Sequence, residues 1–368
     1  MDIAAWRAHE TQLVADLATL VGVESPSAVR AATAACADVL DALVVSRLGV
    51  AAERVVVDEC THLRWRFGGA PRVLLVGHLD TVWPSGTLAR WPFSEKDGIA
   101  TGPGCFDMKA GLVQMVHALA SLSSLDGIVV VVNSDEELGS LTSRALIEES
   151  AAGCAAALVL EPAAGGALKT ARKGVSMYDL EIVGRAAHAG LEPEQGVNAS
   201  IEAAHQILAM SSIADARLGT TVTPTVMSAG TTMNTVPAAA AVHVDVRVET
   251  ADEQVRVDRA MQGISPVLDG ASVVVRGGPN RPPFERALAE ALFGIASRLT
   301  GDLGLPPLAE VMVGGGSDGN FTAGIGVPTL DGLGAVGGNA HAEGEWVDVR
   351  AMPERAALVA ALIDEIRS

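Results

Sequence analysis

Pro71-Arg72-Val73-Leu74-Leu75-Val76-Gly77-His78-Leu79-Asp80-Thr81 runs from an unbroken apolar segment directly into an imidazole and a carboxylate. A short continuous apolar run marks a strand buried on both faces, as parallel sheets require. Two more such runs stand at 128–132 and 155–160. Each also ends in polar residues, Asn133-Ser134-Asp135-Glu136-Glu137 and Glu161-Pro162. Helical spacing of apolar residues surrounds them at 4–21 (Trp6, Leu13, Leu17, Leu20), 30–47, 108–122 (Leu112, Met115, Val116, Leu119) and 140–150. Strands alternating with helices predict an α/β domain.

Beyond residue 174 the texture changes. Strand-like stretches at 175–183, 221–229, 241–249 and 272–276 alternate in polarity, with helical stretches at 198–213 and 251–264. The order βαββαβ predicts a four-stranded antiparallel sheet with two helices. Helical patterning returns at 285–299 and 352–367. The expected fold class is α/β: a mixed, mostly parallel sheet domain over 1–173 and 285–368, interrupted by an inserted α+β domain at 174–284.

Composition narrows the function. Of 368 residues, 49% are hydrophobic and 19% charged, so the chain has ample material for a core. A net charge of −18 repels nucleic acid and anionic membranes. One tyrosine, six phenylalanines and five tryptophans are too few for base-stacking platforms. No apolar run is long enough to span a bilayer, and the opening residues lack a secretory pattern. Cys36, Cys60, Cys105 and Cys154 stand far apart and read as reduced thiols. A cytoplasmic protein is expected.

In open α/β sheets, ligands bind beyond the carboxyl ends of the strands. His78, Asp80, Glu136, Glu137 and Glu161 would share that edge. Each alone could be a loop or cap residue, since acids are favoured near helix N-termini. Together they repel unless a cation or a shared proton holds them. Mixed imidazole and carboxylate ligands suit zinc or a similar divalent ion. Two glycine-rich segments add to the set: 102–111 places Asp107 just before a helix, and 337–343 carries His341. His9, His62, His117, His205 and His243 lack ligand-like surroundings and read as packing or surface residues.

The strings GHLDTV, GPGCFDMKAG, SDEELGS, LEP, GRAAHAG, MNTVP and GGNAHAEGE, in this order, resemble the dinuclear zinc exopeptidase and amidohydrolase family. Its members include glutamate carboxypeptidase, aminoacylase, acetylornithine deacetylase and succinyl-diaminopimelate desuccinylase, and the likeness is strongest to the glutamate carboxypeptidase branch. It covers nearly the whole chain. The resemblance implies a catalytic metal-binding domain, an insert acting as lid and dimerisation domain, and two Zn2+ per chain, with Mn2+ or Co2+ as substitutes. His78 and Glu161 would hold one ion and Glu137 and His341 the other. Asp107, joined to Met108 by a cis peptide bond, would bridge them. Asp80 would orient the imidazole of His78. Glu136 would be the general base, taking a proton from the attacking water and returning it to the leaving nitrogen. His188 would supply an oxyanion donor, in dimeric members to the other subunit's site. Asn234 and Arg247 would bind the substrate carboxylate. Asp318 matches a further motif, with a structural turn as the equal alternative.

The activity so implied is hydrolysis of the amide bond in N-acyl amino acids or dipeptides with a free α-carboxylate. An amidohydrolase of the allantoate or carbamoyl type is the alternative. A non-catalytic binding protein is a third reading, opposed by the presence of Glu136. The expected partners are a small-molecule substrate and a second copy of the chain, paired through the insert. Lys169, Arg172 and Lys173 fall within five residues of a chain with only four lysines. They are either a solvated charge run or cations that flank the cleft and select anionic substrates; by resemblance an ungapped match sets Lys169 against a family lysine, and a gapped one sets Ala167 there.

Overall fold

In the computed structural model, which describes residues 2–368, Val73–His78 is a strand buried along its whole length. It lies inside a six-stranded sheet, ordered Glu53–Val57, Cys60–Arg66, Ile128–Asn133, Val73–His78, Ala156–Val159, Thr329–Leu330. The last four run parallel. From the central strand the chain crosses to one neighbour, Ile128–Asn133, and then to the other, Ala156–Val159. The connections diverge at the carboxyl end of Val73–His78, where such sheets open a crevice. His78 pairs with Asn133 and Val76 with Val159. The residues that follow these three strands therefore emerge at one level.

Both faces of the sheet are covered. Leu74, Val76, Val129, Val131, Ala157 and Val159 pack with Leu146, Ile147 and Phe321. Against the other face lies the helix Ala110–Ala120, whose residues are all buried as far as Leu119, which is why its sequence is apolar all round. Helix Met352–Arg367 packs beside it. Position 111 must be glycine, because a Cβ there would meet the carbonyl oxygen of Leu160.

Some expected elements differ. The helix expected over 4–21 is two, Ile3–Arg7 and Glu10–Val21, parted at Ala8 and His9. The hairpin of Glu53–Val57 and Cys60–Arg66 was not among the expected strands. Its outer strand exposes Val56 and Val57, so it shows neither a buried run nor an alternation. Its turn, Asp58-Glu59, takes positive φ at both residues without the Asn-Gly pair that usually announces such a turn. A small antiparallel sheet also forms from Ser94–Lys96, Ile99–Thr101, Trp346–Asp348 and Gly337–Gly338. It sets the loop 339–345 beside the turn that begins at Gly102, and so brings His341 to Asp107.

The chain divides into two compact units, one comprising Arg172–Phe284 with Gly314–Gly316 and the other the remainder. In the smaller unit the sheet order is Thr221–Ala229, Ala239–Val248, Gly174–Val183, Ser272–Arg281, with every neighbour antiparallel. Helices Ala199–Ser211 and Ala251–Gln262, capped by Asn198 and Thr250, cover one face. Tyr178, Leu180, Val242, Val244, Val246 and Met261 form the core between them. Among the described residues no helix is long and apolar enough to cross a membrane. All four cysteines are buried free thiols.

Candidate metal centre

His78 ends the central strand with its side chain only 1% exposed. Its Nδ1–H donates to the backbone carbonyl of Asp80 at 3.0 Å, which turns Nε2 toward carboxylates. Nε2 lies 3.2 Å from Asp107 Oδ1 and 3.4 Å from Glu161 Oε1. A second imidazole repeats the pattern: His341 Nε2 lies 3.0 Å from Glu137 Oε1 and 3.3 Å from Asp107 Oδ2. Asp107 thus gives one oxygen to each imidazole. Glu136 brings a carboxylate oxygen within 4.8 Å of a ring nitrogen of His78 and an oxygen of Glu161. The Asp107–Met108 peptide bond is cis.

The electrostatics mark each imidazole's surroundings as a place for a cation. Burial opposes a charged His78, yet Asp107, Asp80 and Glu161 raise its pKa well above the ordinary histidine value. Hydrogen bonds to Asp107 and then Glu137 push His341 up to about 10. Burial works to raise Asp107, but His341 and His78 hold it well below the usual carboxylate range. Burial pushes Glu137 up, against the pull of His341. Two imidazoles and the carboxylates of Asp107, Glu137 and Glu161, with Glu136 close by, form a mixed donor set of the kind that suits divalent ions.

Asp80 faces the imidazole of His78 with both its carbonyl and its carboxylate. Its carbonyl, and not its carboxylate, takes the closer contact with His78; the carboxylate oxygen is 3.5 Å from Nδ1. The two carboxylate oxygens also accept the backbone N–H groups of Glu136 and Glu137, each at 3.2 Å. One residue therefore fixes a histidine tautomer through its backbone and the acidic turn through its side chain.

Beneath that turn runs a buried polar network that was not legible as such. Asp135 accepts from the N–H and hydroxyl of Thr142 and from the Ser143 hydroxyl. Asn133 donates to Ser143 and to Asp318, and Ser140 donates to Asp318 as well. Asp318 thus braces the segment that carries Glu136 and Glu137. His62, read as packing, joins the same network: Nδ1 accepts from Ser134 N–H and Nε2 faces the Thr142 hydroxyl. Cys60, His62 and Asp135 lie close enough to suggest a second metal site. Because the Thr142 hydroxyl donates to Asp135, it accepts from His62 Nε2–H, and neither ring nitrogen keeps a lone pair for an ion.

The remaining site residues separate. Lys169 Nζ stands 3.6 Å from Glu161 Oε2, at the rim of the cluster. Arg172 is buried and donates to the carbonyls of Gly315 and Gly316, while Lys173 engages the Gly219 carbonyl and Glu249. The basic run is therefore neither a solvated strand end nor a single charged patch. His188, Asn234 and Arg247 belong to the smaller unit. His188 is exposed, its Nδ1 accepting the N–H groups of Gly190 and Leu191 at 3.1 Å each. Asn234 is exposed on the adjoining segment, its carbonyl accepting Ala189 N–H. Arg247 is paired through Nε and Nη2 with Asp245, both at 2.8 Å, a partner the sequence reading did not include.

Residues 74–365 match the peptidase family M20/M25/M40. Carboxypeptidase G2 of Pseudomonas sp. (strain RS-16) is 34% identical over 313 residues, covering 81% of this chain and 74% of that protein. Succinyl-diaminopimelate desuccinylase 1 of Alteromonas mediterranea is 27% identical over 308 residues, 76% of this chain and 78% of its own. A tripeptidase structure from Staphylococcus aureus shares the fold with a TM-score of 0.77, at 20% identity over 98% of this chain and 99% of that one. The chain belongs to the M20/M25/M40 peptidase family, as its motifs imply. It is a hydrolase, a metal-dependent enzyme that cleaves the amide bond of peptidyl or acyl amino acids.

Proposed function

We propose that the cluster holds two divalent ions, zinc first among them with Mn2+ or Co2+ as alternatives. His78 and Glu161 would hold one, Glu137 and His341 the other, with Asp107 shared. The observation that carries this is the division of Asp107, one oxygen toward each imidazole. Bound there, such ions lower the pKa of a water and polarise an amide carbonyl. Glu136 is the general base, accepting a proton from the attacking water at a carboxylate oxygen and returning it to the leaving nitrogen. Asp80 holds that base and the ligand beside it through their backbone N–H groups.

In this reading 1–173 with 285–368 is the catalytic domain, and the insert at 174–284 is the lid and the surface through which two copies pair. His188 is an oxyanion donor serving the partner copy. Because Nδ1 accepts two amide hydrogens, its own N–H is on Nε2 and free to donate. Asn234 and Arg247 bind the α-carboxylate, Arg247 while paired with Asp245. Lys169 meets an anionic group of the substrate beside Glu161. The substrate is an N-acyl amino acid or dipeptide with a free α-carboxylate, a reading supported by the likeness to carboxypeptidase G2. The four free cysteines support a cytoplasmic location.

The test is release of free amino acid from a panel of N-acyl amino acids, dipeptides, their C-terminal amides and allantoate, before and after chelation. Chelator-sensitive cleavage confined to substrates with a free α-carboxylate is expected. Turnover of allantoate alone would replace this reading with a carbamoyl-type activity.

A further inference from the structure

Glu345 carries a carboxylate into a fully buried position. An ionised carboxylate is strongly disfavoured there unless its lone pairs are matched. Four N–H groups match them. Oε1 accepts from the backbone of Phe106 at 2.7 Å and of Asp107 at 2.9 Å. Oε2 accepts from the backbone of Gly104 at 3.0 Å and from Trp83 Nε1 at 2.8 Å.

The origin of those donors is informative. Trp83 lies just past His78 and Asp80 on the segment leaving the central strand. Gly104, Phe106 and Asp107 form the turn that presents Asp107, with Gly104 in the left-handed region at φ 70°. Glu345 itself closes the loop that bears His341, where the hairpin of Gly337–Gly338 and Trp346–Asp348 fixes it. One carboxylate therefore ties together three segments that deliver His78, Asp107 and His341, and it does so through the N–H of Asp107 itself.

We propose that Glu345 is a positioning residue of the metal centre, a buried clamp that keeps Asp107 aimed with one oxygen at each imidazole. The inference rests on the reading of the cluster as a two-ion site. Glu345→Gln tests it, because a glutamine keeps one acceptor oxygen and turns an NH2 group against two N–H donors. Trp83→Phe deletes one donor of the four and leaves the carboxylate. Glu343→Gln alters an exposed acid of the same loop, ion-paired with Arg90, and leaves the clamp whole.

All four proteins, wild type included, are stripped with chelator. They are then titrated with Zn2+ by calorimetry and with Co2+ by visible absorption, with circular dichroism melts alongside. Glu345→Gln should fold, bind its weaker ion about 10–100-fold less tightly, the usual cost of losing a residue that orients ligands, and shift the Co2+ bands. Trp83→Phe should lose less, below about tenfold, and Glu343→Gln should match wild type. A wild type that binds no ion overturns the two-ion reading and the clamp with it. A Glu345→Gln variant with wild-type affinity and spectrum overturns the clamp alone. If that variant does not fold, wild-type affinity in Trp83→Phe overturns the clamp instead. Equal weakening in Glu343→Gln would assign the effect to loop charge and also overturn it.

Discussion

The two halves of the cluster use the same chemistry in different settings. His78 ends a buried strand and is 1% exposed; His341 rides on a loop and is 49% exposed. The loop holds both Asn339 and His341 at positive φ, a conformation that non-glycine residues adopt at a cost. A third histidine calibrates the pair. His117 is also buried, but it faces the single carboxylate of Asp16, at 2.6 Å, and burial lowers its pKa. His78, no less buried, faces three carboxylates and moves the other way. The number of carboxylates around an imidazole, more than its depth, distinguishes a cation site from a packed histidine. The setting then decides how firmly the site is held.

The largest effect expected from a single change separates binding from turnover. Glu136→Gln should retain both ions and lose about 10²–10⁴-fold in kcat, measured by amino-acid release alongside elemental analysis. Loss of either ion in that variant would place Glu136 among the ligands and break the division into two halves. Asp80→Asn should cost about 10–100-fold in activity or metal affinity. Because Asp80 touches His78 on one side and the N–H of Glu137 on the other, the loss should fall on both ions in calorimetric titration.

A smaller effect concerns the buried half alone. Lys169→Ala should lower the ratio of kcat/KM for N-acylglutamate over N-acylalanine by about tenfold, the worth of one hydrogen bond to a charged group. An unchanged ratio would confine Lys169 to steadying Glu161. The smallest effect tests the calibration. His117 has a lowered pKa in the folded protein and an ordinary one, near 6.5, when unfolded, so the unfolded chain binds the proton first. Stability should therefore fall as pH drops below about 6.5. His117→Gln should reduce that acid-side fall in Tm, while the same substitution leaves metal content unchanged.

How much of this was legible in the sequence depends on what each residue's signal was. The runs at 73–77, 128–132 and 155–160 read as buried strands because burial on both faces removes every polar position. Their polar endings, His78, Glu137 and Glu161, then fell to one sheet edge. The hairpin at 53–66 has an exposed outer strand and an inner strand that buries Thr61 and His62 among its apolar residues, so it carries no such run and escaped. His62 gave only an isolated residue in sequence, and Asp318 a motif match without a settled role, since the network that uses them joins segments far apart in the chain. Asp80 was read as the partner of His78, but its bonds to the acidic turn were not foreseen, because they join two strand ends that are far apart in the chain. Glu345 lay within a quoted motif and drew no role, for an acid after a glycine-rich loop looks solvated until the loop is folded over it.

The most direct test of the account is stepwise reloading of the chelated wild type with Zn2+, reading bound ions and hydrolysis of an N-acyl amino acid on the same samples, with His341→Ala in parallel. Two ions per chain are predicted, the tighter one at the buried half, with full activity only after the second binds, and a single retained ion in His341→Ala. Full hydrolysis by wild-type protein with no ion bound, or with only one, would contradict it.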